Sequence, residues 1–172
     1  MKKLTFIIAA LLVAATAAAV GIVTYLQLTR KPTGDGTITL DSETSTERTL
    51  SYSANGLIPG DEREYSVNIK VPAGGKYTLS LDFEETRDRG LKEFINVDLD
   101  WEGATYSATL SALLASEPVI FSVDIGGAKT TVLKIKYSMP SSVGNEAKNA
   151  TCDFDIKLKA DSANNGQNGQ ED

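Results

Sequence analysis

Histidine is absent from the 172-residue chain, and cysteine and tryptophan each occur once. Without histidine the chain cannot form a Ser-His-Asp or Cys-His nucleophilic site, nor the His-Glu-x-x-His zinc helix. The Ser-x-x-Lys spacing of a lysine-activated serine and the Asp-Thr-Gly or Asp-Ser-Gly signature of paired-aspartate proteases are also missing. We therefore predict no catalytic residue, no cofactor and no metal site, and expect that the protein is not an enzyme.

The single cysteine, Cys152, excludes an intrachain disulfide. An unpaired cysteine in an exported protein is either buried or able to form unwanted intermolecular bonds. Cys152 occupies an apolar position in an alternating strand pattern, so we expect its side chain to be buried.

A long run without charge opens the chain, over residues 4–28, with Lys2 and Lys3 before it and Arg30 and Lys31 after it. A basic start followed by an apolar run is typical of export signals. We expect residues 1–31 to form a signal peptide or an N-terminal anchor helix, which places the rest of the chain outside the cytoplasm, secreted or at the cell surface. The run is longer than the usual secretory core of about 7 to 15 residues and approaches the roughly 20 residues of a membrane span. Its Ala-rich second half favours removal by a signal peptidase, and retention is the alternative.

The remainder of the chain is acidic. Without the four basic residues of the first 31, it keeps 13 of the 17 basic residues and all 23 acidic residues, a formal charge of −10. Such a surface repels nucleic acid and anionic lipid and keeps an exported protein soluble. We expect no nucleic-acid partner, and contact with a membrane only through an uncleaved N-terminal segment.

Apolar and polar residues alternate along most of the exported part, as they do in strands with one buried face. The apolar sets of the longest patterns are Tyr65, Val67, Ile69 and Val71; Tyr77, Leu79, Leu81 and Phe83; Ile95, Val97, Leu99 and Trp101; Val119, Phe121, Val123 and Ile125; Leu133, Ile135 and Tyr137; and Cys152, Phe154, Ile156 and Leu158.

Turn residues separate these runs, and shorter strands are expected at 37–41, 49–53 and 105–109. The spacing predicts an all-β protein, an antiparallel β-sandwich or jelly roll of about eight or nine strands over residues 32–160. Residues 88–94 and 110–116 are expected to form one or two helical turns, and the polar tail 161–172 is expected to be disordered.

Acidic side chains gather at three places: Glu84, Glu85 and Asp88; Asp98 and Asp100; Asp153 and Asp155. Such oxygen ligands could hold calcium, but the alternation favours solvated strand faces, and no EF-hand or nonapeptide spacing is present. The aromatic side chains, including those of Trp101 and Tyr106, are expected to point into the core.

A short strand begins the exported part, after the flexible Gly34-Asp35-Gly36. It could be an ordinary first strand, or it could insert into the sheet of a neighbouring molecule. Its residues are the candidate donated strand: Thr37, Ile38, Thr39, Leu40 and Asp41.

Two turns and the closing strand carry a recognisable sequence. The turns contain Gly56, Leu57, Ile58, Pro59, Gly60 and Asp61, and Gly144, Asn145 and Glu146. Together with the closing strand they resemble the corresponding segments of the TasA/camelysin (CalY) family. The closing match covers 153–160, and the resemblance extends over nearly the whole chain. It implies a jelly roll, export through a SipW-type signal peptidase, and a biofilm-matrix fibre subunit whose N-terminal strand, here 37–41, is donated to the next molecule.

Two other functions remain open on the sequence. One is a camelysin-like surface metalloendopeptidase, although a chain without histidine offers zinc only carboxylates, backbone groups or Cys152. The other is a monomeric adhesion or binding module held by an uncleaved anchor.

Overall fold

The computed structural model describes residues 36–40 and 46–162. The predicted signal or anchor segment and Asp41 lie outside the described residues. Within the described ranges, no helix has the length and apolar character needed to cross a membrane.

Nine strands occur in the described part of the chain, in agreement with the sequence prediction. They are β1 Gly36–Thr39, β2 Thr46–Ser53, β3 Glu62–Val71, β4 Gly75–Asp88, β5 Asn96–Trp101, β6 Ala104–Thr109, β7 Val119–Ile125, β8 Lys129–Ser138 and β9 Cys152–Ser162. Helix is limited to α1, Leu110–Leu114, and to the 3-10 turns Lys92–Phe94 and Asn145–Ala147. The two expected helical segments after β4 and β6 are therefore confirmed as short turns.

The strands form two sheets with the connectivity of a jelly roll. Sheet I has the order β1-β3-β8-β5-β6, and sheet II has the order β2-β9-β4-β7. Strands β2 to β9 pass back and forth between the sheets as in two Greek keys, which is the jelly-roll arrangement. The predicted fold class is confirmed.

One pairing differs from the antiparallel prediction, because β1 runs parallel to β3. Strands that follow one another in a hairpin must be antiparallel, whereas β1 is separated from β3 by β2, which lies in the other sheet. No tight turn sets the direction of β1, and local sequence patterns therefore cannot show it.

The core lies between the sheets and is filled by the alternating apolar side chains. Trp101 has no exposed surface, and its Nε1 donates a hydrogen bond of 2.9 Å to the buried Thr131 Oγ1. Thr131 Oγ1 in turn donates to the Ile69 carbonyl at 3.3 Å. These two bonds give the Trp101 indole N–H and the Thr131 hydroxyl partners inside the core. Cys152 is fully buried, as predicted.

Two sequence predictions need correction. Tyr106 is 41% exposed rather than buried, although it pairs with the buried Leu99 and shares its face. It lies on β6, an edge strand, where the opposite sheet does not cover the inner face fully. The tail does not begin at Asp161, because β9 continues through Ser162, which pairs with Tyr77 and is buried.

Candidate functional site

The first strand, β1, lies at the edge of sheet I and contacts one backbone neighbour. Its residues Gly36–Thr39 are in register with Val67, Asn68, Ile69 and Lys70, the second half of β3. The ladder extends one residue further, since the Leu40 amide donates to the Lys70 carbonyl at 2.9 Å. Residues 37–40 of the candidate donated strand therefore pair within their own chain in this structure.

Side chains of β1 alternate sharply between core and solvent. Ile38 and Leu40 are each 3% exposed, whereas Thr37 and Thr39 are exposed. Burial of an Ile or Leu side chain contributes about 1.5 to 3 kcal/mol. The two apolar side chains thus supply most of the affinity that holds this short strand in the sandwich. We call the position that they fill, beside β3 residues Val67–Lys70, the β1 seat.

The other edge of β1 is occupied by side chains of β2, from the opposite sheet. Arg48 Nη1 donates to the Thr37 carbonyl at 3.1 Å, and Thr46 Oγ1 donates to the Thr39 carbonyl at 3.4 Å. β1 consequently joins the sandwich at two places, through backbone bonds to sheet I and through side-chain bonds from sheet II.

Sequence reasoning did not identify Thr46 and Arg48 as functional residues. The available signal is a change along the inner face of β2, where buried Leu50 and Tyr52 give way to half-buried Arg48 and Thr46. An apolar pattern that turns polar at alternate positions indicates that something with hydrogen-bonding groups covers the strand there. The covering element is β1.

The first of the two turns singled out in the sequence, residues 56–61, depends on two glycines. Gly56 and Gly60 have φ of +75° and +93°, a backbone conformation that favours glycine. Asp61 closes the turn, because its Oδ2 accepts from the Ile58 amide at 3.1 Å and its amide donates to the Ile58 carbonyl at 2.9 Å. The Gly60 amide then donates to the Met139 carbonyl at 2.9 Å, which joins this turn to the end of β8.

The second of these turns, residues 144–146, follows Met139 and begins the 3-10 turn Asn145–Ala147. Glu146 Oε1 accepts from the Gly144 amide at 2.7 Å, and this hydrogen bond lowers the pKa of Glu146. Both turns therefore lie at the end of the sandwich where β3 begins. The structure does not bring them to β1, which pairs with the second half of β3.

The acidic clusters are engaged in local contacts on the protein surface. The pairs are Glu84 with Lys157, Glu85 with Lys92 at 2.6 Å, Asp98 with Ser107 at 2.6 Å, and Asp153 with Asn55 at 2.9 Å. Asp100 accepts from the Gly103 amide at 3.2 Å in the β5–β6 turn. Across residues 36–40 and 46–162, no group of three or more acidic or cysteine side chains is placed to hold a metal ion.

No family model and no curated protein matches the chain. Among solved structures, the chain is similar to the pre-peptidase C-terminal domain of a collagenase from Bacillus anthracis, at 13% identity and a TM-score of 0.33, covering 75% of this chain and 98% of that one. It is also similar to FLHE, at 10% identity and a TM-score of 0.40, with 68% and 97% covered. A mutant of PliG, a periplasmic inhibitor of g-type lysozyme from Escherichia coli, matches at 8% identity and a TM-score of 0.33, with 74% and 98% covered. Likenesses this remote carry no argument about function.

Proposed function

We propose that this protein is a secreted or cell-surface structural subunit that assembles into biofilm-matrix fibres by donating β1 to a neighbouring copy. The observation that carries the proposal is the β1 seat. The first described strand, β1, and the residue after it insert Ile38 and Leu40 into the core, and among the described residues β1 pairs only with β3.

A segment of this kind is suited to exchange between molecules. If β1 leaves, the edge of β3 and the places of Ile38 and Leu40 become open to solvent. The same segment of a second copy restores every lost contact, since its sequence is identical. Each donor can itself accept from a third copy, and a head-to-tail contact of this kind produces a filament when its rotation does not close a ring.

The sequence features outside the seat fit an exported assembly protein. The N-terminal apolar run predicts export, and the charge of −10 on the exported part favours solubility before assembly. The partners in this proposal are further copies of the same chain and, during export, a signal peptidase.

A reversible covalent lock on β1 tests the proposal. Thr37 and Asn68 are exposed partners in the β1–β3 register, and neighbouring strands lie about 4.8 Å apart, within the Cα range of roughly 4.4 to 6.8 Å that a disulfide spans. We expect the processed double variant T37C/N68C to remain monomeric when oxidised and to form filaments after reduction, as seen by electron microscopy at raised protein concentration.

The matched controls are the single variants T37C and N68C, each of which also keeps the buried Cys152 and should form filaments in either redox state. Filaments from the oxidised double variant would show that assembly does not require the release of β1, and no filaments from the wild-type protein under any condition would reject assembly altogether.

The pairing of β1 with β3 of its own chain also favours a second candidate, a monomeric adhesion module held by an uncleaved anchor. The two candidates differ in the N-terminus of the native protein. Mass spectrometry that finds Met1 intact in the membrane fraction would favour the anchored module, whereas a new N-terminus after the apolar run favours the fibre subunit.

A further inference from the structure

The hydrogen-bonding groups of β1 divide into two sets. In a parallel pair, alternate residues direct both backbone groups toward the neighbouring strand, and the residues between them direct theirs away. The bond from Leu40 to the Lys70 carbonyl places Ile38 and Leu40 in the first set. The carbonyls of Thr37 and Thr39 therefore face away from β3, toward the open side of sheet I.

An edge with free carbonyl and amide groups is a template for another strand. In this structure β2 side chains bind both of the outward carbonyls, Thr37 through Arg48 and Thr39 through Thr46. An additional strand would have to displace both side chains, and the guanidinium would lose a charge-assisted bond.

We infer that Thr46 and Arg48 form an edge clamp, which holds β1 in its seat and closes sheet I to any strand beyond β1. The second consequence rests on the proposed function: on this side the sheet grows only by replacement of β1, never by addition to it. The strength of the clamp then sets how often β1 is released.

The clamp and the seat together define the segment that can be accepted. It must be extended, carry apolar side chains at alternate positions to match Ile38 and Leu40, and present carbonyls outward at the residues between them. A slip by one residue would turn the apolar side chains to solvent. Residues 37–40 of a second copy meet these requirements, because they are the same segment that fills the position in this structure.

Hydrogen exchange of the Leu40 amide in dilute, monomeric processed protein tests the clamp without any assembly. Arg48→Met removes the donor but keeps an unbranched side chain. We expect the Leu40 amide to exchange about 3 to 10 times faster in this variant, the effect of losing one hydrogen bond, while the Ile135 amide in the centre of sheet I keeps its rate.

Two further variants make this test specific. Thr49→Val, on the exposed face of the same strand, should leave the Leu40 rate unchanged, and Arg48→Lys should recover part of the protection. An unchanged Leu40 rate in Arg48→Met would overturn the clamp, as would an equal acceleration in Thr49→Val.

Exchange between labelled subunits tests the consequence for assembly. One preparation carries a fluorescence donor and the other a fluorescence acceptor. When the two are mixed, we expect Arg48→Met to exchange strands about 3 to 10 times faster than the wild type. If neither protein assembles, the proposed function fails while the Leu40 measurement still decides the clamp. If filaments form and exchange at equal rates in both proteins, the clamp does not control release, and the inference fails while the fibre subunit stands.

Discussion

Cys152 illustrates how packing decides the chemistry of a single residue in this protein. It is the first residue of β9 and is fully buried, with its amide donating to Asn55 Oδ1 at 2.9 Å. Burial raises the pKa of the thiol to about 12, and the nearby carboxylate of Asp88 adds to this effect. Because a thiolate is the reactive form, a neutral buried thiol is inert.

We predict that a thiol reagent at neutral pH does not modify the native protein and modifies one group per chain after unfolding in guanidinium chloride. Reaction with an aromatic disulfide, followed by absorbance, measures thiol modification in the native and in the unfolded protein. Fast modification of the native protein would contradict the burial of Cys152.

The raised pKa also predicts a pH effect on stability. The unfolded thiol ionises near its ordinary pKa of 9.0, whereas the native thiol holds its proton up to about 12. The contribution of the buried Cys152 thiol to the free energy of unfolding is therefore complete below pH 9 and is lost as the pH rises toward 12. We expect the difference in unfolding free energy between wild type and Cys152→Ala, from urea titrations, to shrink over this window and to stay constant below it.

Among the structural elements, the turn 56–61 shows what a backbone conformation can demand. Gly60 has φ of +93°, and its amide donates to the carbonyl of Met139, just after β8, while the Met139 amide donates to the Asp61 carbonyl. An added Cβ would find space, since the nearest atom is Ser141 Cβ at 3.9 Å, so the cost of a substitution comes from the backbone and not from a clash.

We predict that Gly60→Ala lowers the free energy of unfolding by about 1 to 2 kcal/mol, the cost of alanine at positive φ. Gly126→Ala is the matched control, because Gly126 has no atom near an added Cβ and lies outside the positive-φ region. Urea denaturation measures both variants. Equal stability of the two would show that residue 60 does not need this conformation.

β1 is the element whose contribution can be tested most directly. We predict that Leu40→Ala destabilises the monomer by about 2 to 3 kcal/mol, the lower part of the range for buried leucine, since the seat lies at the edge of the core. Thr39→Ala, on the exposed side of β1, should change stability by less than about 0.5 kcal/mol. A Leu40→Ala variant as stable as Thr39→Ala would show that the seat contributes little binding energy.

For the whole molecule, charge opposes the assembly that we propose. Residues 32–172 carry a formal charge of −10, so two copies repel each other before β1 of one could reach β3 of the other. Salt screens this repulsion over about 10 Å at 0.1 M. Hydrophobic burial in the seat is not screened in this way.

We therefore predict that assembly of the processed protein has a shorter lag at roughly 0.15 M salt than at about 0.01 M, because the Debye length falls from ~30 to ~8 Å. Light scattering follows the lag. Deletion of residues 33–41 should abolish filaments at every salt concentration, and filaments from the deleted protein would show that assembly uses another edge.

Alternation of apolar and polar residues determined the strands, the core and the sandwich, because a period of two permits one buried face in each strand. The burial of Cys152 and Trp101 followed from the same rule. Tyr106 did not, since its position on the edge strand β6 leaves it 41% exposed, and coverage by the opposite sheet cannot be inferred from a single strand.

Only the tertiary structure decided how the first strand is held. The sequence indicated a strand at 37–41, but the parallel pairing with β3 joins residues about 30 positions apart, as Ile38 and Ile69 are. The contacts of Thr46 and Arg48 with β1 likewise cross from one sheet to the other. Local patterns determine which face of a strand is apolar, whereas the choice of neighbour depends on how both sheets close around a shared core.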